Sequence, residues 1–180
     1  MRLTPFRKGD TLGTFRNLVN NTVTQIESLD NAYVLGTPQE ELEKKYIEKI
    51  LIQPLILHYE QKYRIQGTYD VAIPYEGDSR LWNLQASTFS VTWFPEIEVL
   101  NDHIVFNIGS QGESAQTMRE RLDEIIRSLS DAVNYLKKDV ERHNIDAPDR
   151  IKIGSRNKKQ KAQSEKNTFD ELGLSVKDKP

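Results

Sequence analysis

Residues 113–143 read ESAQTMRERLDEIIRSLSDAVNYLKKDVERH. Met118, Leu122, Ile125, Leu129, Ala132, Leu136 and Val140 follow one another at intervals of three and four, which places them on one stripe of a helix. The spacing has coiled-coil character, but Ile126, Val133 and Tyr135 broaden the stripe beyond a narrow seam. A stripe this wide predicts a long amphipathic helix lying on a sheet, with Ile125 and Leu129 pressed into it.

Toward the N-terminus the period changes to two. Phe89, Val91, Trp93, Ile97 and Val99 alternate, as do Ile104, Phe106 and Ile108, and Asn101-Asp102 between them predicts a hairpin turn. Pro95 lacks a ladder donor, so its strand is expected at an edge or a bulge. Tyr63, Ile65, Tyr69, Val71, Ile73 and Tyr75 predict one half-buried antiparallel strand, with Gly67 as a bulge or a point of close approach. Leu55-Ile56-Leu57 reads as a short strand, and Arg80 to Leu84 as a helical turn covering one end of the sheet with Leu81 and Trp82. The aromatics Tyr63, Tyr69, Tyr75, Phe89, Trp93 and Phe106 share the parity of the aliphatic strand residues. They are therefore expected beneath the long helix, not on an open face that could stack bases.

Two helices are predicted before the sheet. Phe15, Leu18, Val19, Thr22, Val23, Ile26 and Leu29 share one face over Thr11 to Leu29. Thr37-Pro38-Gln39-Glu40 has the form of a helix start, Thr37 as cap and Glu40 as the reciprocal arm, for a helix with Leu42, Tyr46, Ile47, Ile50 and Leu51 inward. Pro54 ends it near Gln53. The loop Gly109 to Gly112 leads into the long helix, with Ser110 or Ser114 as its cap.

Beyond His143 the apolar stripe is expected to stop. Asn144 to Pro148 interrupts it, Ile151 to Lys166 has few apolar residues, and Phe169, Leu172, Leu174 and Val176 form a small terminal anchor. Asp149 to Lys179 carries nine Lys/Arg against five Asp/Glu, leaving 16 against 22 in residues 1–147. The whole therefore reads as an α+β domain over 1–147, an antiparallel sheet of about four strands against the long helix, followed by a basic, partly helical or flexible tail over 148–180. Arg150, Lys152, Arg156, Lys158, Lys159, Lys161 and Lys166 are its candidate nucleic-acid contacts. Irregularly spaced cations neutralise phosphates without reading bases, so such binding would be salt-sensitive and unspecific.

The absence of cysteine excludes disulfides, thiolate metal sites and a cysteine nucleophile. No eighteen-residue apolar run and no signal-peptide pattern occur, so a cytoplasmic protein without a membrane segment is expected. His58, His103 and His143 have no second histidine at ligand spacing, and His143 is placed in the last turn of the long helix, where the dipole favours a cation. Glu60-Gln61-Lys62 has the Glu-x-Lys form of metal-dependent nucleases, but the preceding strand supplies no aspartate. No glycine-rich nucleotide loop or serine-nucleophile elbow is present. No catalytic residue, metal or cofactor is assigned, and a non-catalytic role is expected.

Pro54-Leu55-Ile56-Leu57-His58, Ile73-Pro74-Tyr75-Glu76-Gly77-Asp78, Leu81-Trp82, Ser87-Thr88-Phe89, the long helix, the basic stretch around Arg156 and Leu172-Gly173-Leu174 together resemble an N-terminal module of bacterial antiphage-defence proteins. The resemblance covers roughly residues 40–176. It implies an accessory or sensing role through a protein partner. In that group a restriction-nuclease-like effector domain usually follows, and the catalytic residues belong to that domain. The chain stops almost where the effector would begin, and Pro148 and Gly154 fall where the resemblance calls for continued helix.

Overall fold

A computed structural model describes residues 2–88 and 94–173. Phe89, Val91, Trp93, Leu174 and Val176 therefore lie outside the described residues. The chain mixes α and β, and groups into two units: residues 1–15 with 52–143, and residues 16–51 with 144–180. This grouping departs from a domain over 1–147 with a trailing tail.

Among the described residues eight short strands belong to the first unit: β1 (Arg2–Leu3), β2 (Gly9–Asp10), β3 (Ile56–Leu57), β4 (Tyr63–Arg64), β5 (Asp70–Glu76), β6 (Leu84–Gln85), β7 (Ile97–Val99) and β8 (His103–Asn107). Six form an antiparallel sheet in the order β1-β7-β8-β5-β3, with β4 also on β5. The expected count of about four rises to six because β3 and β4 share one edge of β5, and because Arg2 and Leu3 pair with Glu98 and Ile97. β2 and β6 make a separate parallel pair.

The hairpin through Asn101-Asp102 is present, with Val99 opposite Ile104 and Glu98 opposite Val105. The strand expected over Tyr63 to Tyr75 is instead two, β4 and β5, folded back through Gly67 at φ +80°. Ile65 N–H donates to the Asp70 carbonyl at 3.0 Å across this turn. The register sets Tyr63 opposite Ala72 and Arg64 opposite Val71, so the odd-numbered residues of β4 and of β5 fall on opposite faces although they share one parity in sequence. Tyr63 is consequently exposed at the sheet margin, opposite Ala72, while Tyr75 and Phe106 are buried as expected.

Val71, Ile73, Ile97 and Ile104 are buried in this unit together with Ile125, Leu129, Ala132, Leu136 and Val140. Those last five lie on α4 (Ala115–Glu171), which Ser114 opens by accepting from Thr117 N–H at 3.1 Å. Leu81 and Trp82 are buried on the turn Ser79–Asn83, where Asp78 caps by accepting from Arg80 N–H at 2.9 Å. Phe6, the one non-glycine residue at positive φ among the described residues, sits edge-on to Phe94 and tilted on Trp82, and its N–H donates to the Trp82 carbonyl at 2.8 Å.

Tyr59, in the short turn Tyr59–Gln61, places its phenol beside Ser130 and Asp131 of α4. Burial pushes this phenol up to about 12 from 10.0, and the Asp131 charge adds to the shift. The folded chain thus holds the proton more tightly than the unfolded chain, so stability present below pH 10 is lost as pH rises toward 12. Spectrophotometric titration at the phenolate band is expected to lose one late tyrosine step in Tyr59→Phe, leaving that of Tyr75, which burial also raises; an unchanged curve would contradict the burial.

The second unit holds α1 (Thr11–Glu27) from Arg16 onward, α2 (Asn31–Gly36), α3 (Gln39–Glu48) and α4 from Asn144. Among the described residues three helices thus lie between β2 and β3 where two were expected. Asp30 caps α2, accepting from Ala32 N–H at 2.8 Å and Tyr33 N–H at 3.2 Å. Thr37 is not the cap of α3: its hydroxyl donates to the Tyr33 carbonyl at 2.8 Å and closes the end of α2. α3 stops at Glu48, short of Gln53, and Leu51 is exposed. Val19, Ile26, Val34, Leu42, Tyr46 and Ile50 form this unit's core with Ala147, Ile151 and Ala162.

α4 does not end at His143. Its buried stripe continues as His143, Ala147, Ile151, Ser155 and Ala162, still at helical spacing, so the small and polar residues beyond 143 mark close packing. The dipole argument for His143 falls with this, since the residue lies mid-helix against the Phe15 ring at 4.8 Å. The terminal anchor is also overturned for its described members, because Phe169 and Leu172 are exposed. Pro148 remains inside the helix without a donor. Pro148→Ala supplies that donor at some cost in unfolded-chain entropy, and is expected to raise stability by about 1–2 kcal/mol. The check is a thermal midpoint about 2–8 °C higher.

Candidate interaction surface

The seven cations of the C-terminal segment all ride on α4, and the helix distributes them to both flanks of its buried stripe. Most are engaged within the second unit. Arg150 donates to Asn20 at 2.7 Å, Arg156 Nε to Glu43 at 3.1 Å, Lys158 to Asn31 at 2.8 Å and Lys159 to the Thr37 carbonyl at 2.7 Å. Lys152 pairs with Asp149 one turn back at 3.2 Å. Lys161 and Lys166 make no hydrogen bond or ion pair among the described residues. Lys158 lies on the inward side and extends its ammonium past the packed stem, as a long cation does at the edge of a core. The seven therefore do not form one basic track.

A shallow groove of about 490 Å³ runs along α4 beside the start of α3, lined by Gln39, Arg156, Lys159, Gln160, Gln163, Ser164 and Asn167. Gln160, Gln163 and Asn167 are spaced by three and four, so one helix face carries all three amides. Gln163 Nε2 donates to Asn167 Oδ1 at 2.8 Å, and Gln39 Nε2 donates to Glu43 and to the buried Ser155, each at 2.8 Å. Only two of the seven candidate cations, Arg156 and Lys159, reach this groove. Its amides went unnoticed in sequence because a charge count is blind to neutral polar side chains; their three-four spacing was the available signal.

The same helix shows large apolar side chains to water. Ile145 is 74% exposed, Ile153 57% and Phe169 48%. Ile145 and Ile153 are two turns apart on the side opposite Ala147 and Ile151.

No family model, curated protein or solved structure matches the chain.

Several polar groups of the first unit are occupied in holding it together. Asp139, buried, accepts from the Thr11 hydroxyl at 2.5 Å and from the Ser87 N–H and hydroxyl at 2.7 Å each. His58 lies between Glu60 at 3.6 Å and Glu76 at 3.2 Å, and His103 is 2.6 Å from Asp102. Among the described residues no three His, Asp or Glu side chains gather as metal ligands. The Glu60-Gln61-Lys62 stretch is an exposed turn whose lysine donates to the Tyr59 carbonyl at 3.2 Å. Among the described residues no helix is long and apolar enough to cross a membrane.

Proposed function

We propose that the chain is a non-catalytic interaction module that acts through a protein partner, as an accessory or sensing part of a bacterial antiviral defence system in the cytoplasm. The observation that carries the partner is the outer side of α4 between 145 and 153, where two isoleucines stand in water on a helix otherwise rich in charge. Apolar side chains grouped on a polar rim favour a covering partner, at about 25 cal/mol per Å² removed from water. The defence context is supported by the motif resemblance and by the run of α4 through Pro148 and Gly154, where that resemblance calls for helix.

Purification of the tagged chain from its native host is expected to bring down one second protein in fixed ratio. Ile145→Lys with Ile153→Lys should abolish that retention while leaving the thermal midpoint within a degree or two. Repeated isolation of the chain alone, or retention unaffected by the double variant, would contradict the proposal. Nucleic-acid binding through Arg150, Lys152, Arg156, Lys158, Lys159, Lys161 and Lys166 is the competing outcome. It would appear as binding to labelled DNA or RNA that weakens steeply between two salt concentrations and vanishes on reversing Lys158, Lys159 and Lys161 to Glu.

A further inference from the structure

We infer that the groove on α4 beside Gln39 is a site for an extended, acidic peptide segment of the partner. This rests on the protein-partner reading above and adds the chemistry of what is bound.

The charge comes first. Arg156 uses only Nε, toward Glu43, so its two terminal nitrogens carry no partner among the described residues and its side chain is 64% exposed. Lys159 gives one hydrogen bond to the Thr37 carbonyl and keeps two further donors. Two cations, with one carboxylate already against Arg156, leave an excess of positive charge that favours an acidic occupant.

The amides then select among acidic occupants. The Gln160 side chain makes no hydrogen bond among the described residues, and the bond from Gln163 to Asn167 leaves Gln163 Oε1 and Asn167 Nδ2 open. Gln39 donates twice and leaves its oxygen open. The groove therefore offers both donors and acceptors. The Gln160 amide, with no fixed partner among the described residues, can present either its donor or its acceptor end. A phosphate backbone offers acceptors only and would leave the amide oxygens unanswered, whereas a polypeptide main chain offers both at every residue. The length also fits. Arg156 to Asn167 spans about 16 Å at the helical rise, the reach of about five extended residues.

The test uses the full chain labelled with ¹⁵N, reading the side-chain amide resonances of Gln39, Gln160, Gln163 and Asn167. The probes are a capped pentapeptide alternating aspartate with glycine, the same peptide with lysine for aspartate, a short oligothymidylate, and sodium phosphate. The aspartate peptide is expected to shift these resonances saturably, and the lysine peptide to leave them unmoved. Arg156→Glu with Lys159→Glu should weaken the binding at least tenfold. Because Arg156 also meets Glu43, a second variant, Gln160→Ala with Asn167→Ala, removes only exposed amides; it should weaken binding about threefold or more with an unchanged thermal midpoint.

Absence of a saturable shift, or equal shifts in the variants, overturns the site. Tighter binding of oligothymidylate assigns the groove to nucleic acid, and shifts reproduced by phosphate alone assign it to small oxyanions; either result overturns the peptide. A co-purifying protein whose retention ignores both groove variants leaves the interaction module standing and removes only this site. Peptide binding without any co-purifying protein does the reverse.

Discussion

Gly77→Ala is expected to cost about 3 kcal/mol or more, seen as a urea midpoint displaced far below that of the parent chain. Gly77 has φ +109°, a region that side chains other than glycine avoid, and a Cβ there would run into the carbonyl oxygen of Pro54 and come within 3.0 Å of the Leu55 Cα. Both obstacles are backbone, so no rotamer change relieves them. The neighbouring bond, Asp78 N–H to the Gln53 carbonyl at 3.0 Å, holds the two segments in that approach. Gly67→Ala is the control. It too is at positive φ, +80°, but nothing lies within 4 Å of its added Cβ, so a loss near 1 kcal/mol is expected. Equal losses at the two positions would show that the approach of Pro54 to Gly77 is not as described.

Asp139→Ala should be comparably damaging, at about 3–5 kcal/mol, because one carboxylate answers three donors. Thr11 is fully buried, so its hydroxyl has no water to turn to once the acceptor is gone. Asp139→Asn keeps the volume but brings an amide nitrogen toward donors, and is expected to recover less than half of the loss. The single truncations Thr11→Ala and Ser87→Ala each remove one donor and should cost about 1–2 kcal/mol. Native-state hydrogen exchange gives an independent reading, since the Ser87 amide should lose its protection in Asp139→Ala. Protection retained at Ser87 would mean that the amide has another acceptor.

The parts of the fold that announce themselves are those whose signal is local. The stripe from Met118 to Val140 and the hairpin about Asn101-Asp102 could be read directly, because volume and polarity alternate within a few residues. α4 beyond His143 was hidden because its inward positions are Ala147, Ser155 and Ala162, which pack by being small and not by being apolar. β1 and β2 are two residues each and carry no period at all. Asp139 looks in sequence like one more surface charge of a lysine-rich turn. Its role depends on Ser87 and Thr11, 52 and 128 positions away. The surface was half legible: Arg156 and Lys159 stood out by charge, whereas Gln39, Gln160, Gln163 and Asn167 needed the helix to bring them together.

The opening ten residues thread a route with a kinetic consequence. Arg2 pairs with Glu98, Phe6 N–H binds the carbonyl of Trp82, Lys8 N–H that of Asn83, and Gly9 pairs with Leu84. Every one of these attachments closes a loop of roughly 75 residues or more, so during synthesis this stretch cannot make them until residues 82–98 have followed it out. A segment made well before its partners is thus among the last to settle.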